Sequence, residues 1–155
     1  MNPGAQQPAP ANARPDIVNA FTVDVEDYFQ VAAFAHRIDP AQWDALPCRV
    51  ERNVEHILAL LAGAGAKATF FTLGWIAQRH PQVVRAIVNQ GHELASHGYA
   101  HQRASGQSEA ELRDDLVRAR KLLEDIAGEP VIGYRAPSFS IGRDNLWAHR
   151  VLAET

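Results

Sequence analysis

Short β-prone runs that break off at polar residues, each followed by an amphipathic helical segment, recur along this chain and constrain its fold more than any other feature. The run 17-IVNAFTVDVEDYF-29 stops at three carboxylates, Asp24, Glu26 and Asp27. Val54, Ile57, Leu58 and Leu61 then recur at helical spacing from Val50, with Gly63 and Gly65 as the stop. A second β-like run, 67-KATFFTLG-74, leads into 81-PQVVRAIVNQG-91, which has proline at a helix start and glycine at its end. The short strand 92-HELAS-96 comes next. Ser108 and Glu111 then form a capping box for a helix carrying Leu112, Leu116, Leu122, Leu123 and Ile126, closed by Gly128 and Pro130. A last strand is expected over 130-PVIGYRA-136 and a last helix over 144-DNLWAHRVLAE-154.

Strand–helix alternation of this kind predicts an α/β fold with a mostly parallel sheet, whose chemistry gathers at the C-terminal ends of the strands. The polar clusters fall at those ends. Asp24, Glu26 and Asp27 follow the first run, His97 and His101 the third, and Arg135 the fourth. With 155 residues, 46% of them hydrophobic, one domain with a core is expected. The segment 1–15, rich in Pro, Ala, Asn and Gln, reads as a disordered tail, and the domain as residues 16–155.

A formal charge of -3, from 15 basic and 18 acidic residues, gives no basic surface for nucleic acid or an anionic membrane. The single cysteine, Cys48, leaves no internal disulfide and no multi-cysteine zinc site. No apolar run of about 20 residues and no charged leader with an apolar segment is present, so no membrane span and a cytoplasmic location are expected.

The stretch 95-ASHGYAH-101 spaces two imidazoles four residues apart, on one face of a helical turn if the segment is helical. Two imidazoles and a carboxylate make a three-ligand set with an open position, as in catalytic zinc sites. A second carboxylate is then free to take a proton, and Asp24 and Glu26, two apart, point the same way if the strand continues. Arg135 is suited to holding such a carboxylate ionised. Each feature has a plainer reading: an exposed histidine pair, a helix cap or solvated loop, and a surface ion pair. His36, His56, His80, His92 and His149 show no partner pattern. Phe70, Phe71, Trp43, Trp75 and Trp147 read as packing residues.

Three motifs taken together, FTVDVED, ATFFTLGWIAQRHPQVVRAIVNQGHELASHGYAH and GYRAPSFSI, resemble the polysaccharide deacetylase family with the NodB homology domain, carbohydrate esterase family 4. More narrowly they resemble its exosortase-associated, exopolysaccharide-locus branch. The resemblance runs from about Asp16 to the end of the chain. It implies a distorted (β/α) barrel, of which this chain carries the first part. It also implies a divalent metal held by His97, His101 and a carboxylate, zinc first, with cobalt, nickel and manganese also suited. The family's first motif usually reads Thr-Phe-Asp-Asp, and 22-TVDVED-27 departs from it. Asp24 matches the base, Val25 stands where a ligand usually does, and Glu26 becomes the implied third ligand, with Asp27 as the alternative. Arg135 in 135-RAP-137 is implied to orient Asp24, and the backbone N–H of Ser138 to face the oxyanion.

The implied reaction removes N-acetyl groups from an amino-sugar polysaccharide, in exopolysaccharide biosynthesis. The family takes its leaving-group acid from a later histidine motif that His149 does not match, so weak or absent activity and an open barrel edge are expected of this chain. An allantoinase-like cyclic amidohydrolase and an inactive metal- or carbohydrate-binding fragment are the other function classes. Oligomeric state is left open.

Overall fold

The structure is a computed structural model that describes residues 19–155; the Pro/Ala-rich segment lies outside the described residues. Three parallel strands form the sheet in the order β1 (Thr22–Val25), β2 (Thr69–Thr72) and β3 (Glu93–Ser96). The register sets Thr22 against Thr69 and Val25 against Thr72, then Thr69 against Glu93 and Thr72 against Ser96. All three strands therefore end level with one another, and the loops that follow them share one rim.

The helices are α1 (Val50–Ala64), α2 (Gly74–Arg79), α3 (Pro81–Asn89), α4 (Glu109–Ala127) and α5 (Trp147–Glu154). The expected helix starts and stops have visible causes. Pro81 opens α3. Ser108 and Glu111 complete the capping box on α4, and Gly65 and Gly128 close α1 and α4 in the left-handed conformation. The six-residue α2 is too short for a periodic signal. It forms because the backbone N–H groups of Gly74 and Trp75 donate to the carbonyls of Gly98 and Tyr99, both at 2.9 Å, which turns the chain sharply after β2.

Two expectations change. The first strand is four residues long rather than a run to Phe29, because after Val25 the chain enters turns that culminate in two 3₁₀ segments. The run 130–136 contributes only a single parallel bridge, Ser96 with Tyr134. Pro130 has no N–H to pair, the Val131 N–H is taken by the Glu124 carboxylate at 3.0 Å, and only the Gly133 carbonyl and the Arg135 N–H reach Ser96. Gly133 matters to that contact, since a Cβ there would sit 3.0 Å from the Ala95 Cβ.

Between the sheet and α1, α2 and α3 lies a core of Val25, Val54, Leu58, Phe70, Leu73, Ile76 and Ile87. It runs into an aromatic cluster of Phe29, Trp43 and Trp75, with the Trp43 and Trp75 rings 5.6 Å apart and edge-to-face. The second and third core patches seat α4 against the sheet through Leu123 and Leu94, and against α5 through Leu112, Leu116 and Val151.

Asp27 fastens the rim to this core. Its buried carboxylate accepts from the Tyr28 N–H at 2.8 Å, the Val50 N–H at 3.0 Å and the Arg49 N–H, so it caps α1 from another segment. Asp27→Ala removes the acceptor and leaves those donors unpaired. It is expected to lower stability by about 1–3 kcal/mol in urea denaturation.

Candidate active site

Five of the residues singled out from sequence, Asp24, Glu26, His97, His101 and Arg135, line a single cleft together with Ser138. Its volume is about 180 Å³, and Val31, Ala32, Ala136 and Phe139 complete its wall. Asp24 lies within β1, Glu26 just beyond it, and His97 and His101 in the loop after β3.

That loop is not a helical turn. Gly98 (φ 76°) and His101 (φ 54°) are left-handed, and the chain bends between the two histidines. The rings still converge, with centroids 5.2 Å apart. Ligand atoms of Glu26, His97 and His101 all lie within 4.8 Å of one another. His97 is 2% exposed, and burial pushes its pKa below the ordinary histidine value, keeping the ring neutral as a ligand must be. Its Nδ1 lies 2.8 Å from the Arg135 carbonyl, which can only accept, so Nδ1 carries the hydrogen and Nε2 presents its lone pair.

Glu26 Oε2 is buried and makes no hydrogen bond, although His101 Nε2 is 2.9 Å away. A shut-in carboxylate oxygen without a donor is costly. Beside two imidazole nitrogens, it forms the donor set that suits a divalent cation with a position left open. Asp27 is not part of that set, because its oxygens are engaged by the backbone N–H groups of Tyr28, Arg49 and Val50.

Asp24 is placed by Arg135. The guanidinium donates to Asp24 Oδ1 and, at 2.9 Å, to Thr22 Oγ1, while its plane lies 4.0 Å over the Phe71 ring. Phe71 is thus a half-buried support for Arg135, whereas its neighbour Phe70 is core. Asp24 Oδ2 is left facing the histidines, 4.0 Å from His97 Nε2.

Sequence reasoning missed Asp115. On α4, both its oxygens accept from the Tyr99 N–H at 3.1 Å, which holds the histidine loop from behind. Burial raises its pKa, opposed by the Tyr99 hydrogen bonds. A signal exists: Asp115 lies three residues after Leu112 and four before Ala119, so a carboxylate occupies the helix's apolar stripe.

Among similar proteins, the sequence profile of polysaccharide deacetylases matches residues 41–152. The chain belongs to the polysaccharide deacetylase family. A Bacillus cereus peptidoglycan-N-acetylglucosamine deacetylase is 36% identical over 81 residues, which are 52% of this chain and 38% of that protein. A Sinorhizobium fredii chitooligosaccharide deacetylase is 28% identical over 90 residues, 58% of this chain and 42% of that one. A crystal structure from Mycobacterium smegmatis, assigned to the polysaccharide deacetylases, superposes with a TM-score of 0.72 at 34% identity, over 87% of this chain and 47% of that one. The chain thus spans less than half the length of these relatives. In this polysaccharide deacetylase domain the α/β architecture with a parallel sheet is the expected one, the barrel being present in part. Among the described residues no helix is long and apolar enough to cross a membrane.

A Cβ on Gly98 would lie 2.7 Å from Asp115 Oδ2, at a φ that alanine rarely adopts. Gly98→Ala is expected to destabilise the chain by about 1–3 kcal/mol. In a double-mutant cycle read by denaturation, combining it with Asp115→Ala should cost less than the sum of the two, because the clash is removed.

Proposed function

We propose that this chain is the site-bearing part of a metal-dependent deacetylase that hydrolyses N-acetyl groups on an amino-sugar polymer. The observation that carries the reading is the unpartnered, buried Glu26 Oε2 set between two imidazoles, with an Arg135-held carboxylate across the cleft. Glu26, His97 and His101 would hold the cation, zinc first and cobalt, nickel or manganese next. Bound there, a divalent cation supplies Lewis-acid polarisation and lowers the pKa of water.

The chain's own residues do the rest. Asp24 Oδ2 takes the proton from the attacking water, while the Arg135 guanidinium holds the carboxylate in place. The N–H of Ser138 donates to the oxygen that becomes negative as water adds to the acetyl carbonyl; when the adduct collapses the C–N bond breaks, acetate departs and the proton held by Asp24 passes to the leaving amine nitrogen. Burial keeps His97 neutral and its bond to the Arg135 carbonyl fixes the tautomer, so His97 and Asp24 are both oriented by one residue.

A polymer as substrate is supported by the names of the relatives and by space. A larger cavity of about 680 Å³, walled by Phe29, Gln30, Ile38, Trp43, Arg103 and Gln107, adjoins the cleft through Val31, Ala32 and His101. It is large enough for neighbouring sugar residues. The resemblance of FTVDVED and GYRAPSFSI to the exopolysaccharide-locus branch favours an exopolysaccharide among such polymers.

The test pairs cation content with acetate release from an N-acetylated chito-oligosaccharide, using allantoin as a control substrate. Glu26→Ala and His101→Ala should lose the cation. Asp24→Ala should keep it and lose about 10²- to 10⁴-fold in acetate release. A chain that binds cation stoichiometrically without releasing acetate is a binding module; one that takes up no cation, or hydrolyses allantoin instead, sinks the reading.

His97→Ala should abolish cation binding, while Arg135→Lys should preserve it and reduce turnover. Lysine keeps the charge and the backbone carbonyl that accepts from His97, but loses the fork that holds both Asp24 and Thr22.

A further inference from the structure

Phe139 combines two costs within the described part of the fold. It is 87% exposed, a large apolar ring left in water. Its backbone is left-handed at φ 52°, directly after Ser138 at φ 54°, in a segment without glycine. Non-glycine residues hold that conformation only where their surroundings impose it.

The surroundings do impose it. Ser140 Oγ donates to the Pro137 carbonyl at 2.6 Å and accepts from the Ala104 N–H at 2.9 Å. The Asn145 amide donates to the Ser140 carbonyl at 2.9 Å, and the Phe139 N–H to the Ala136 carbonyl at 3.1 Å. The turn is pinned on both sides, and Phe139 is one of the residues lining the cleft that holds Asp24, Glu26, His97 and His101. An aromatic face at the mouth of that cleft complements the apolar C–H face of a pyranose ring, which stacks on it without needing charge.

We propose that Phe139 is the stacking platform for the sugar ring that carries the scissile acetamide, and that the strained Pro137–Ser140 turn exists to present it. This rests on the deacetylase reading, and it names a binding subsite within it. Phe139 grips the ring, while the residues around Glu26 and Asp24 act on its acetyl group.

Wild type, Phe139→Ala, Phe139→Gly and Phe139→Trp are compared in the zinc-loaded chain. KM for an N-acetylglucosamine oligomer should rise at least tenfold in Phe139→Ala and Phe139→Gly, with zinc content unchanged and kcat altered less than KM. Phe139→Trp should restore KM. Glycine tolerates positive φ, so Phe139→Gly should also raise the thermal unfolding midpoint, an outcome opposite to that of a structural side chain. Acetate release by the wild type with KM unmoved in Phe139→Ala, or a lowered midpoint in Phe139→Gly, overturns the proposal and leaves the deacetylase reading standing. If the wild type releases no acetate, that reading fails. Calorimetric titration of the same oligomer then decides the platform: binding that Phe139→Ala weakens tenfold supports it, and absent or equal binding overturns it.

Discussion

Arg135 faces two ways, and the candidate site depends on both. Its guanidinium fixes Asp24 on β1, and its carbonyl accepts from His97 on the loop after β3. Its own N–H donates to the Ser96 carbonyl at 3.0 Å, which anchors the residue to the end of β3. One residue thereby links Asp24, one candidate ligand and the sheet. Its positive charge also stands beside Asp24 in a cleft that Glu26 lines as well. Phe71 beneath the guanidinium completes the arrangement by giving it a flat, partly dry seat.

The histidine loop is held differently, by backbone. Asp115 accepts from Tyr99, and the carbonyls of Gly98 and Tyr99 receive the first N–H groups of α2. Gly74 allows that approach, since a Cβ there would lie 2.7 Å from Tyr99 Cδ2. The short α2 therefore serves the site as much as the core: it ties the end of β2 to the loop that carries both imidazoles. A loop secured by backbone hydrogen bonds leaves its side chains free to be chosen for chemistry.

The alternation of strands and helices was readable because it rests on local causes, namely periodicity, Pro81, the Ser108–Glu111 box and the closing glycines. The five polar residues of the cleft were readable as a set because parallel strands bring their ends to one rim. Other features were not, for physical reasons. Asp24, Glu26 and Asp27 are chemically alike over four positions. Only the turn after Val25, which hands Asp27 to the N–H groups of Arg49 and Val50, separates a cap from a candidate ligand. The run 130–136 has strand composition, yet one bridge is all its partners permit, since pairing depends on which N–H groups a neighbour leaves available. The left-handed backbone at His101, Ser138 and Phe139 carries no glycine to mark it.

Those left-handed residues fall on the two loops that flank the cleft, His101 on one and Ser138 and Phe139 on the other. The loops are joined by the Ala104 N–H to Ser140 Oγ bond, and Ala104 itself is fully buried beside Leu112 and Val151. Strain on either side is thus borne by the same contact, which is anchored in the core under α4 and α5. The two loops that flank the cleft are therefore tied to one another as well as to the core. Glu26 Oε2, shut in with His101 Nε2 2.9 Å away, thus faces the two imidazoles from a rim whose loops are held in place.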